Sequence, residues 1–147
     1  MHALTMAAYV SAAFVLFAKL VFVVSLQGAN RLRTGKFQYA EDAAHWNGEQ
    51  VADESDLVVR PQRALRNDGE GQPYFLVFGA VYVALGATPW AAWLYFPAYA
   101  LTRALHTWFM LRAQQPHRNR AFGAGLFILA ALAVHCVVTA LSRLRGT

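Results

Sequence analysis

Long stretches without charge alternate along this chain with short stretches crowded with it. Residues 3–26 read ALTMAAYVSAAFVLFAKLVFVVSL, and Lys19 is their one charge. Residues 71–102 carry no charge and are divided by the turn sequence 86-GATP-89. Residues 121–141, AFGAGLFILAALAVHCVVTAL, form another apolar block. A soluble core interleaves apolar and polar positions at helix or strand spacing, and these blocks do not. A bilayer core about 30 Å thick needs roughly 20 helical residues to cross it. The first and last blocks meet that length alone. The middle pair meets it only if the second helix starts inside 60-RPQRALRNDGEGQPYF-75 and the third continues past Arg103 and His106. The pattern predicts spans at about 3–26, 63–85, 90–111 and 120–142, an all-α integral membrane four-helix bundle in one domain, residues 1–147. The two middle spans must then carry polar residues inside the membrane.

Composition agrees with this class. Apolar residues make up 57% and charged residues 14% of 147, against about 45–50% and about 25% in soluble domains. The first block is read as a retained span. No basic residue precedes it and a lysine falls late within it, unlike a cleaved signal peptide. Lysine and arginine set the orientation. The segment 31–66 holds Arg31, Arg33, Lys36, Arg60, Arg63 and Arg66, and the 111–120 turn holds Arg112, Arg118 and Arg120. The 86–89 turn has none, and Arg143 and Arg145 are a minority vote against. Termini outside and basic loops on the cytoplasmic side fit best. The pI of 9.8 follows from those loops and calls for no nucleic acid. Cys136 is the only cysteine, so no intrachain disulfide forms, and no metal-ligand spacing, HExxH or Gly-rich phosphate loop is present. His135 beside it is expected to bond a neighbouring helix.

The soluble inner loop, about 31–60, holds 41-EDA-43, a Trp-Asn-Gly turn signal at 46–48 and the acidic patch 53-DESD-56. Pro61 is expected in the first turn of the second helix, where its missing N–H costs nothing. Gly86 and Pro89 punctuate an outer turn, Pro97 is a candidate kink, and 113-AQQPHRN-119 reads as the second inner turn.

Depth organises the charges. At about 1.5 Å per residue, Lys19, Glu70 and Arg103 each fall roughly 20–23 Å from the outer ends of their spans, with Asn67 and His106 at roughly 24–27 Å. A charge held in lipid costs at least about 2.5–3.5 kcal/mol, so it is paired or lines a wet cavity. Arg63, Arg66, Asn67 and Glu70 share one helix face by their i, i+3, i+4, i+7 spacing, and Arg103 and His106 share another. This arrangement draws a polar cavity open to the inner side, with arginine in excess over carboxylate. The plain structural alternative is that Glu70 and Arg103 pair and join two helices. The excess of arginine favours an anionic guest, since its fork matches carboxylates.

Four motifs, 31-RLRTGKFQYAEDA-43, 63-RALRNDGE-70 followed by Pro73, 103-RALHT-107 and 115-QPHR-118, occur in the order found in the MAPEG family of membrane-associated proteins of eicosanoid and glutathione metabolism. The chain resembles that family over nearly its whole length. The resemblance implies a homotrimer with glutathione bound between subunits at the inner side. It implies that Arg31, Arg66, Asn67, Glu70, Arg103, His106 and Arg118 match glutathione-contacting positions. Asp42 matches a carboxylate considered for the isomerase reaction of the family. Arg31 and Arg66 are expected on the glutathione carboxylates, Glu70 on its amine and Arg118 on its thiol. The expected catalytic set is Arg118, Asn119 and Asp42.

Departures separate the branches of the family. Met110 and Phe122 stand where the prostaglandin synthase branch has tyrosines, and Asn119 where it has a serine. The turn 114-QQPHR-118 is closer to the glutathione transferase branch. The leading expectation is a membrane glutathione transferase, with peroxidase activity as a companion, acting on hydrophobic electrophiles from the bilayer. A glutathione-dependent isomerase of the prostaglandin E synthase type and a non-enzymatic protein that binds membrane lipid or a partner are the alternatives. A small transporter is a poorer fourth, because no inverted repeat is evident.

Overall fold

A computed structural model describes residues 2–145. The order is α1 (His2–Thr34), β1 (Lys36–Phe37), α2 (Ala40–His45), β2 (Glu49–Gln50), α3 (Asp56–Ala84), α4 (Pro89–Leu111) and α5 (Gln115–Arg145). The four long helices pack along one another. Helices α3 and α4 touch each other, and each also touches α1 and α5. Among the described residues α1 and α5 do not meet.

The core forms where each helix turns one stripe inward. On α1 that stripe is Thr5, Ala8, Ala12, Leu16 and Val23. Its small residues let the backbones approach. Aromatic side chains of α3 and α4 fill the centre. Phe75 and Tyr99 stack with ring centres 4.1 Å apart, and Phe96 meets Tyr9, Phe75 and Tyr82 edge-on at 5.5–5.9 Å. Gly79 makes room for Tyr9, since a Cβ there would lie 2.6 Å from its ring. Large apolar side chains point outward instead, with Phe14 68% and Phe127 76% exposed. Helices α1 and α5 each contain an apolar window long enough to cross a membrane.

Helix ends obey local chemistry. The chain leaves α3 through a left-handed Gly86, with Gly86 N–H donating to Val83 O and Ala87 N–H to Tyr82 O. This is the Schellman arrangement, which satisfies the last carbonyls. Helix α4 ends the same way with Ala113 in the left-handed position at φ 56°, Ala113 N–H donating to Met110 O and Gln114 N–H to Phe109 O. Asn47, at φ 54°, turns the chain after α2 as the Trp-Asn-Gly signal predicts.

Three boundaries differ from the sequence reading. The loop expected from 31 begins later, because α1 continues to Thr34, and it contains α2 and the parallel pair β1–β2, registered Lys36 to Glu49 and Phe37 to Gln50. Helix α3 starts at Asp56, so Pro61 is its sixth residue and not in its first turn. A proline there cannot donate to the carbonyl four residues back. Asn30 of α1 replaces the lost donor, its Nδ2 lying 2.9 Å from Leu57 O. The expected 113–119 turn is mostly helix. Helix α5 starts at Gln115 with Pro116 in its first turn, where proline is tolerated. His135, as expected, reaches a neighbouring helix, with Nδ1 3.4 Å from the Tyr95 hydroxyl of α4.

Candidate functional site

Three helices contribute charge to one buried cluster. Asp68 of α3 accepts from Lys19 Nζ of α1 at 2.6 Å and from Arg103 Nη2 of α4 at 3.0 Å. Lys19 also lies 3.4 Å from Thr107 Oγ1. Arg103 Nη2 donates a second hydrogen bond to Asn67 Oδ1. Asp68 and Arg103 are each only 3% exposed. The expected level for Lys19 and Arg103 is therefore occupied, but the carboxylate that joins them is Asp68. Glu70 does not pair with Arg103. It stands at the surface of α3, 3.8 Å from Arg66, with side-chain exposures of 64% and 86%.

Two clefts open beside this cluster between α3, α4 and α5, and they share Asn67 and Phe122. One, about 410 Å³, is polar and includes Arg63, His106, Arg118 and Asn119 with Met110. The other, about 230 Å³, is walled by Tyr74, Tyr99, Phe122, Leu126 and Leu129, with Arg103 and Glu70 as its charges. Arg118 lies in the first turn of α5, and its Nη1 is 3.3 Å from the Met110 sulfur, a weak acceptor. Among the described residues it forms no ion pair. His106 is buried with its Nδ1 unpartnered and its ring 5.9 Å from Phe122.

Arg31 and Asp42 lie elsewhere, in a cleft with Gly28, Phe37 and Trp46 at the C-terminal end of α1. Glu54 engages Arg31 through both carboxylate oxygens, with Nη2 to Oε2 at 2.8 Å. That hydrogen bond holds the Arg31 guanidinium above its ordinary range, with the Glu54 and Asp42 charges adding to it against partial burial. Within one chain the predicted residues thus divide. Asn67, Glu70, Arg103, His106, Arg118 and Asn119 gather around the paired clefts. Arg66 faces outward, and Arg31 and Asp42 form a separate group. Asp68 and Lys19, absent from the predicted ligand set, tie the cluster together.

The MAPEG family model matches residues 9–138. Prostaglandin E synthase of Macaca fascicularis is 37% identical over 111 residues, covering 72% of this chain and 73% of the relative. The Bos taurus prostaglandin E synthase is 32% identical over 138 residues, covering 93% and 90%. Microsomal glutathione S-transferase 1 of Rattus norvegicus is 29% identical over 131 residues, covering 86% and 84%. A match spanning all four long helices, with relatives above 30% identity along most of their own length, makes this chain a member of the MAPEG family.

Proposed function

We propose that the protein is a four-span integral membrane glutathione transferase, with termini outside and basic loops on the cytoplasmic side. Glutathione occupies the polar cleft and a lipophilic electrophile enters the adjoining apolar one from the bilayer. One observation carries this reading. Arg118 is a cation on a polar cleft, and among the described residues its guanidinium is offered only the Met110 thioether. A thiol with a pKa near 8.5 is mostly protonated at neutral pH, and an adjacent cation favours the thiolate. The thiol proton passes to solvent. The sulfur lone pair then forms a C–S bond with the electrophile, and the leaving group departs with its electron pair. In this reading Asn119 and the Asn67 amide hydrogen-bond the bound peptide in the polar cleft, and Glu70, on the adjoining cleft, receives its amine where the two clefts meet. That relatives include a microsomal glutathione S-transferase supports the choice of thiol.

A homotrimer belongs to the same proposal. Arg66 and Glu70 are exposed on α3 at membrane depth, where lipid is a costly neighbour. A second copy against α3 covers them, and it offers a route for Arg31 and Asp42 to approach the Arg118 cleft of another subunit. Similarity to the prostaglandin E synthases favours one second reading, glutathione-dependent isomerisation. The thioether of Met110 on Arg118, in place of a hydroxyl, supports the transferase instead. A non-enzymatic lipid- or partner-binding role would leave the unpaired Arg118 without use.

The test is ultraviolet difference absorbance of the detergent-purified protein on adding glutathione near neutral pH. A thiolate band that is lost in Arg118→Ala supports the site. Absence of both band and binding overturns it. Turnover of an aryl halide against an endoperoxide then separates the transferase from the isomerase.

A further inference from the structure

Asp68 touches neither cleft, yet it controls what one of them presents. Both protons of Arg103 Nη2 are committed, one to Asp68 Oδ1 and one to Asn67 Oδ1. Lys19 holds the other Asp68 oxygen at 2.6 Å, fixing the carboxylate from the far side. Asn67 lines both clefts and, with Phe122, is common to them. An amide whose oxygen is held by a guanidinium can turn only its NH2 end elsewhere. We propose that Asp68 is a positioning residue that, through Arg103, fixes Asn67 with its N–H donors toward the clefts and so primes the site for an acceptor-rich anionic ligand.

Two features support this over simple helix pairing. The bond from Arg103 to Asn67 joins α4 to α3, which the Asp68 contact already joins, so it adds little as a tether. Its effect is to set the direction of the amide. Phe122 lies beside Arg103, 6.0 Å from ring centre to guanidinium carbon, which limits where the guanidinium can go.

The identity of the ligand rests on the glutathione reading above, so the experiment begins with that. Reduced glutathione is titrated into the detergent-solubilised wild-type protein by calorimetry. No binding there sinks the glutathione reading itself. With binding established, Kd is measured for Asp68→Asn, Asn67→Ala and the double variant. Losing one oriented hydrogen bond is expected to raise Kd about tenfold. If Asp68 acts through Asn67, the double variant binds no more weakly than Asn67→Ala alone, because coupled residues are non-additive. A purely structural Asp68 gives additive losses, or an unchanged Kd with a lowered thermal midpoint, and either result overturns the inference. Should Asp68→Asn fail to assemble, Arg103→Lys serves. It keeps the charge opposite Asp68 but loses the planar amino group Nη2, whose two protons reach both partners. The same non-additivity with Asn67→Ala is expected, and additivity refutes it.

Discussion

Two cations share one carboxylate in the centre of this protein, so the cluster carries a net charge of +1 and its members differ sharply in worth. Lys19→Met is the informative perturbation, since methionine preserves most of the stem volume. At 2.6 Å and an effective dielectric of about 20, the gross Lys19–Asp68 attraction is about 6 kcal/mol. Removing the lysine also removes its repulsion with Arg103, the other cation on the same carboxylate, on the order of a few kcal/mol at that dielectric. It also removes the desolvation penalty of one buried ammonium, several kcal/mol in practice. These contributions nearly cancel, so Lys19→Met is expected to change stability by no more than about 1 kcal/mol, because a neutral Asp68–Arg103 pair remains. Asp68→Asn leaves two buried cations and no counter-ion, at a cost of about 3–5 kcal/mol. Thermal unfolding in one detergent at one scan rate, followed by intrinsic fluorescence, ranks the two. A midpoint for Lys19→Met as low as that for Asp68→Asn refutes the charge accounting and makes Lys19 an equal partner in holding the helices.

Three further outcomes are expected. Under the proposed function the wild-type conjugation rate should be near its plateau at neutral pH, because a cation beside the thiol lowers its pKa; in Arg118→Ala it should keep rising through about pH 8.5, the range of the free thiol. A superimposable pH profile would move thiol activation to another residue. Ala113→Gly should raise the thermal midpoint, relieving about 1 kcal/mol of left-handed strain at φ 56°; no gain would mean that the turn is held by its neighbours. Asn30→Ala should cost about 0.5–1.5 kcal/mol, the worth of its bond to Leu57 O, and speed hydrogen exchange at the start of α3; unchanged exchange there would show that water replaces Asn30.

Hydrophobic blocks and turn chemistry made most of the helical architecture legible. Gly86 and Pro89 located the turn between α3 and α4 because only certain residues suit a left-handed exit and a first helical turn. Pro61 misled because its rule is local, whereas the bond that excuses it comes from Asn30, distant in sequence. The 31–60 segment was legible as a loop but not as the carrier of α2 and a parallel strand pair, since two-residue strands have no periodicity to read. Among the site residues, depth found Lys19 and Arg103, and helical spacing found Asn67. The structural alternative offered Glu70 as the carboxylate for Arg103 because Glu70 shares a face with Arg63, Arg66 and Asn67 that reads as pointing inward; Asp68 holds that place instead.

The missed signal was Asp68's place on another face of the same helix. The buried stripe of α3 runs Val58, Pro61, Ala64, Asp68, Phe75, Gly79 and Tyr82, and Asp68 takes a core position four residues after Ala64. Lys19 falls between Leu16 and Val23 on the inward stripe of α1, and Arg103 follows Phe96, Tyr99 and Ala100 on that of α4. A charge on an apolar stripe must be met by another stripe's charge at the same level, so these three select one another and fix the register of three helices. A slip of one turn, about 5.4 Å, would separate them all. Once the inward charges have satisfied each other, the surplus that speaks for an anionic guest is smaller than a count of arginines suggests. It consists of cations on the cleft and outer faces, Arg63 and Arg118 above all, and the function of the site rests on those.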